Sequence, residues 1–124
     1  MQGGLAASYW FGDNFRDTSL PWVLIRKNAD ALYFLVKQWM LLQKQPGAAI
    51  SAHWLAGTER CADAFVRLWN RWGQFGQFVD TRSGDIIVGG STSAASAPAG
   101  LALAAQFFSQ PEHLRVAEAS ALYF

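Results

Sequence analysis

Carboxylates are the residues in this sequence best placed to do chemistry. Asp13 and Asp17 bracket Asn14-Phe15-Arg16, just after the aromatic run Tyr9-Trp10-Phe11, and Asp80 and Asp85 bracket Thr81-Arg82-Ser83-Gly84. All four fall in expected loops, where a rigid scaffold tends to carry its reactive groups. Two carboxyl groups facing one bond can divide the work of general acid and general base. Asp13 and Asp17 could equally cap a backbone or pair with Arg16 or Arg26. Asp80 and Asp85 could simply be turn residues that bond local amides. Arg26, Lys27, Asn28 and Asp30 interrupt an otherwise apolar run, so they must either be paired, line a wet cleft wall or lie at the exposed mouth of a helix bundle.

Other chemistries find less support. His53 and His113 have no metal-ligand partner at helical spacing and read as surface or capping residues. Cys61 is alone, which excludes an intrachain disulfide and a cysteine metal site; it sits on an apolar helix face and reads as core. No metal or other cofactor is expected. Gly89-Gly90-Ser91-Thr92-Ser93 precedes a helix and could offer amides to an anion, but without a P-loop lysine it reads as a connector. Trp10, Trp22 and Trp54 could be stacking platforms or core; Trp39, Trp69 and Trp72 read as core.

The elements that would position these groups are mostly helical. A first helix is expected from Leu20 to about Gln45, with Ser19 as N-cap and Pro21 in the first turn, ended by Pro46-Gly47. It is apolar nearly all round and so is expected to be buried on most sides. A second helix, about His53 to Trp72, has one apolar stripe through Cys61, Phe65, Leu68, Trp69 and Trp72, and Gly73 fits the left-handed position that closes it. Gln77-Phe78-Val79 and Ile86-Ile87-Val88 flank a hairpin loop with Gly84 near its end. An Ala-rich inner helix follows from Ala95–Ala97 to Phe108. Ser109-Gln110-Pro111-Glu112 reads as a capping box opening a last helix. The organisation is then a single partial helical domain over 1–124: an irregular lead-in over 1–18, a helical pair over 19–73, a β-hairpin and Gly/Ser loop over 74–93, and a second helical pair over 94–124. Buried and amphipathic helices alternate with a period of about 75 residues.

The run Gly76-Gln77-Phe78-Val79-Asp80, then Ser83-Gly84-Asp85, then Gly89-Gly90-Ser91-Thr92-Ser93-Ala94 entering an Ala-rich helix resembles the hairpin segments of six-hairpin glycosidases. Asn14-Phe15-Arg16-Asp17-Thr18-Ser19-Leu20-Pro21-Trp22 is similar to stretches in bacterial members of that group. The resemblance covers most of the chain from about Asp13, with motifs of moderate specificity, since related toroids occur in lyases and terpenoid cyclases. It implies a mainly α fold: two α-helical hairpins with a short β-hairpin between them, a fragment of an (α/α)6 toroid. It also implies part of a glycoside hydrolase-like enzyme acting on an oligo- or polysaccharide, the isolated chain being inactive. Asp13 and Asp17 would be the catalytic carboxylates, and Trp10, Asn14, Arg16, Trp22, Arg26, Ser91 and Thr92 would bind the sugar. The alternative is a non-catalytic helical module for a glycan or a protein.

Composition sets limits on partners. The 124 residues carry a net charge of +1, which gives no footprint for nucleic acid or an anionic membrane surface. No signal peptide is visible, and the apolar run from Leu20 to Leu42 holds too many polar groups to span a bilayer. Hydrophobic residues make up 52% and charged residues only 15%, a greasy balance for so small a domain. Together with the uncapped apolar end Tyr123-Phe124, it leads to the expectation of a homo-oligomer or of a missing remainder of the same polypeptide.

Overall fold

The structure, a computed structural model, describes residues 8–11, 14–17 and 22–124. Among these the chain is mainly helical, with four helices and two small antiparallel sheets. Strands β1 (Ser8–Phe11) and β2 (Asn14–Asp17) pair with Trp10 opposite Phe15 and Ser8 opposite Asp17. This corrects the irregular lead-in expected there. The aromatic residues of these runs are good strand formers.

The first long helix also begins later than its apolar pattern suggests. Trp22–Leu24 forms β3, and α1 runs from Ile25 to Gln43 with Leu24, not Ser19, at its N-cap. Strand β3 pairs with β4 (Phe78–Asp80), which pairs with β5 (Ile86–Val88), and Val23 and Val79 face each other fully buried. A buried β-branched pair of this kind holds the segment extended against the helix that follows it. The β4–β5 turn closes through Gly84, whose φ of 74° favours a residue without Cβ.

Helix α1 buries Ile25, Asn28, Ala29, Leu32 and Val36, steps of three and four that make one stripe. Phe34 and Leu41 on its other side stay exposed, so among the described residues α1 is not buried on most sides. Helix α2 (Ala52–Trp72) ends as its sequence predicts, with Gly73 left-handed at φ 65° and donating to the Trp69 carbonyl. Helices α3 (Ala97–Phe108) and α4 (Pro111–Ala121) are joined by two residues. The expected capping box does not form: Ser109 is taken up as the left-handed C-cap of α3, and Gln110 caps α4.

Contacts fix the relative directions. Ser96 at the start of α3 bonds Asp30 of α1, and further on Gly100 lies against Leu32 and Tyr33, so α1 and α3 run side by side in the same sense. Gln110, the N-cap of α4, and His113 and Arg115 within it meet Glu59, Asp63 and Asn70 of α2 in the same order, so this pair is parallel too. Across the layers the sense reverses, because Trp39 meets Thr58 whereas Asn28 meets Cys61. The fold is therefore two layers of parallel helices, α1/α3 and α2/α4. Between them lies a core containing Ile25, Leu32, Phe65, Phe75 and Leu101, each fully buried. Phe75 sets its ring edge-on to Phe65 at 5.2 Å.

Cys61 is core, as its position in the stripe predicts. Its Sγ donates to the Asn28 carbonyl at 3.9 Å, and burial pushes the thiol pKa up to about 12. Trp39 and Trp69 are half-buried, Trp39 donating through Nε1 to Thr58 Oγ1 at 2.9 Å. Trp72 is not core: it is 41% exposed and donates through Nε1 to the Gly84 carbonyl. No described helix is long and apolar enough to cross a membrane.

Candidate functional site

Parallel α1 and α3 bring their N-terminal ends together, and the loop entering α3 completes that end. Arg26 and Asp30, one turn apart on α1, share a helix face. They line a shallow depression of about 350 Å³ whose other side is Thr92, Ser93, Ala95 and Ser96. Ser96 Oγ donates to Asp30 Oδ1 at 2.7 Å, tying the loop to α1. Within the loop the Ser93 amide donates to Ser91 Oγ at 3.0 Å, and the Ala95 and Ala97 amides donate to the Thr92 and Ala94 carbonyls. Upstream, the Gly90 amide donates to Gln74 Oε1 at 2.8 Å. Gly89 packs so tightly there that a Cβ would lie 2.8 Å from the same oxygen. The loop is thus built around a glutamine side chain at one end and an aspartate at the other. Ser93 Oγ is buried and finds no hydrogen-bond partner among the described residues.

The residues singled out from the sequence divide between places. Arg26 and Thr92 meet in the depression, while Ser91 braces the loop behind it through its hydroxyl. Trp22 lies in β3, 44% exposed and outside the depression. Asp13 lies outside the described residues. Trp10, Asn14, Arg16 and Asp17 belong to the paired strands β1 and β2.

Several assignments are settled by partners. Asp80 is a turn residue: its Oδ1 accepts from the amides of Arg82 at 2.8 Å and Ser83 at 3.3 Å. The Arg82 amide, with help from Ser83 and the Arg82 guanidinium, holds its carboxyl below the usual carboxylate range. Asp85 accepts from Arg71 at 2.7 Å. Asn28 is buried, its Nδ2 donating to the Leu24 carbonyl, so it belongs to the helix entrance and not to a cleft wall. Lys27 and His53 are exposed.

His113 corrects a surface assignment. It is 1% exposed, with Nε2 bonded to Asp63 Oδ1 at 2.7 Å and Nδ1 buried without a partner among the described residues. What sequence reasoning underweighted at the depression is Asp30 and Ser96. The signal for Asp30 was available in its one-turn spacing from Arg26; that for Ser96 was not, because it depends on α3 docking beside α1. No family model, curated protein or solved structure matches this chain.

Proposed function

We propose that this chain is part of a carbohydrate-active enzyme of the helical-toroid kind, with the depression between α1 and α3 forming a stretch of its cleft wall. The observation that carries this reading is the in-phase, parallel docking of α1 and α3. It gathers one guanidinium, one carboxylate and several hydroxyls at a single end of one helix layer. Such a set hydrogen-bonds the hydroxyls of a sugar from both the donor and the acceptor side. The alternation of two parallel layers is also how inner and outer helices of a toroid would stack. In that reading the exposed Phe34 and Leu41 are covered by further helices of the same polypeptide or by a second copy.

Among the described residues Asp30 is the one carboxylate lining the depression. Hydrolysis needs a second one across the scissile bond, at roughly 5–10 Å. Asp13 or Asp17 would supply it. With Asp30 alone the chain would be a glycan-binding wall without turnover, which is the second reading.

The test is an amide NMR titration of the chain with a panel of neutral oligosaccharides. Shifts at residues 91–96 and at the Arg26 side chain, lost in Arg26→Ala and Asp30→Asn, are expected. A panel that leaves those signals unmoved at millimolar sugar removes the reading. Hydrolysis by the longest natural protein containing this chain, abolished by Asp13→Asn or Asp17→Asn, separates enzyme from binding wall.

A further inference from the structure

Helix α1 has a second apolar line besides the one it gives to the core. On its outer side Phe34 is 66% exposed and Leu41 61% exposed. The two stand two turns apart, about 10 Å along the axis. Exposed Lys27 lies the same step before Phe34, and exposed Ala31 and Gln38 fill the line. Steps of four and three through 27, 31, 34, 38 and 41 trace the seam along which one helix meets another.

The charge beside this seam is one-sided. Every lysine of the chain lies on α1 or at its C-cap: Lys27, Lys37 and Lys44, all exposed. Among the described residues none of them ion-pairs with a carboxylate. Lys37 lies 5.0 Å from the Tyr33 ring centroid, a contact that orients the ammonium without neutralising it. The only acidic residue of α1 is Asp30, which is half-buried and accepts from Ser96. Lys37 and Lys44 repeat the two-turn step, so they form a basic flank alongside Phe34 and Leu41.

We propose that this face docks an acidic amphipathic helix of a partner protein, with apolar residues on Phe34 and Leu41 and carboxylates along Lys37 and Lys44. Helices are recognised by apolar anchors at such spacing, and flanking charges select among them. A second copy of this chain is the wrong occupant because it brings the same lysines. Laying α1 antiparallel on itself, with Phe34 against Leu41, sets both Lys37 side chains next to each other, and like charges there oppose association. An anionic membrane is also a poor fit. The line is narrow, two large side chains with Gln38 between them, whereas a helix lying on a bilayer buries a broad apolar face. The partner takes the place that the carbohydrate reading gives to further helices or a second copy. Sugar binding at the depression is a separate matter, since neither Phe34, Leu41 nor any lysine lines it.

The experiment is a fluorescence-anisotropy titration of the intact chain against a labelled synthetic helix of about three heptads, leucine at its seam and glutamate on both flanks. Saturable binding that weakens with added salt is expected. Phe34→Ser, and separately Lys37→Glu combined with Lys44→Glu, are each expected to weaken it about tenfold. Both change exposed side chains, and thermal melting checks that each variant folds. The same peptide with lysine in place of glutamate is expected not to bind. Equal binding of the two peptides, or variants that bind as the parent does, overturn the proposal. Two further results also overturn it. A peptide-free dimer in light scattering that Phe34→Ser abolishes makes a second copy the occupant. Sedimentation with phosphatidylserine–phosphatidylcholine vesicles that Phe34→Ser abolishes makes the occupant a membrane.

Discussion

The two parallel helix seams of this molecule are built on opposite principles. Beyond the Asp30–Ser96 bond at its entrance, the α1–α3 contact is made by small and apolar residues: Ala29, Leu32, Ala97, Gly100, Leu101 and Ala104 are buried. Between α2 and α4 the meeting points are polar: Glu59 with Gln110, Asp63 with His113, and Asn70 with Arg115. The first seam gains dispersion from close approach and tolerates no added volume. The second gains direction from hydrogen bonds, several of them exposed, where water competes for the same groups. Parallel helices can thus be held in register by shape or by pairing, and this chain uses one for each layer.

Disturbing the shape seam is expected to cost most. Gly100→Leu places a branched side chain where even a Cβ would lie 3.2 Å from the Tyr33 amide nitrogen and 3.3 Å from Leu32. Overpacking there should lower stability by about 3 kcal/mol, read as a shift of the urea midpoint. The Asp30–Ser96 bond should loosen with it, visible in Ser96 amide exchange. A variant as stable as the parent would mean that the seam is loose.

The pairing seam should yield less. Among the described residues Asp63→Ala leaves both ring nitrogens of the buried His113 unpartnered, yet Asp63 is itself 47% exposed and screened. A loss of about 1 kcal/mol is expected, measured by the same denaturation. A cost matching that of Gly100→Leu would show that the histidine pair, and not close packing, dominates helix docking.

The smallest effect has the opposite sign. Ser109 sits between α3 and α4 at φ 56°, a conformation that a residue with Cβ resists. Ser109→Gly should raise stability by about 0.5 kcal/mol, checked by thermal melting. It relieves backbone strain at the joint between one helix of each seam.

The parts of the fold legible in the sequence were those set by local chemistry. Helix α2 follows from one apolar stripe and a glycine that closes it, and the β4–β5 hairpin from two β-rich runs around Gly84. The misread parts depend on partners distant in sequence. Trp22-Val23-Leu24 fits a helical pattern until Val79 lies opposite Val23. Ser109 satisfies a capping box on paper, but with only two residues joining α3 to α4 the end of one helix claims it first. His113 looks like a surface residue until α4 docks on Asp63. At the depression Arg26 and Asp30 could be read together from helical spacing. Their meeting with Thr92 and Ser96 could not, because it is set by the seam around Gly100.

The opposed direction of the two layers has an electrical consequence. Helices of 19 and 12 residues run one way, and helices of 21 and 11 the other. Among the described helices the peptide dipoles therefore oppose one another between the layers and add within each layer. At the end where Arg26, Asp30 and the Ser91–Ser96 loop gather, the positive ends of α1 and α3 lie together beside one depression. Were the depression to hold a polar ligand, as proposed, that ligand would meet the positive ends of two helices together with the hydrogen-bonding groups around them.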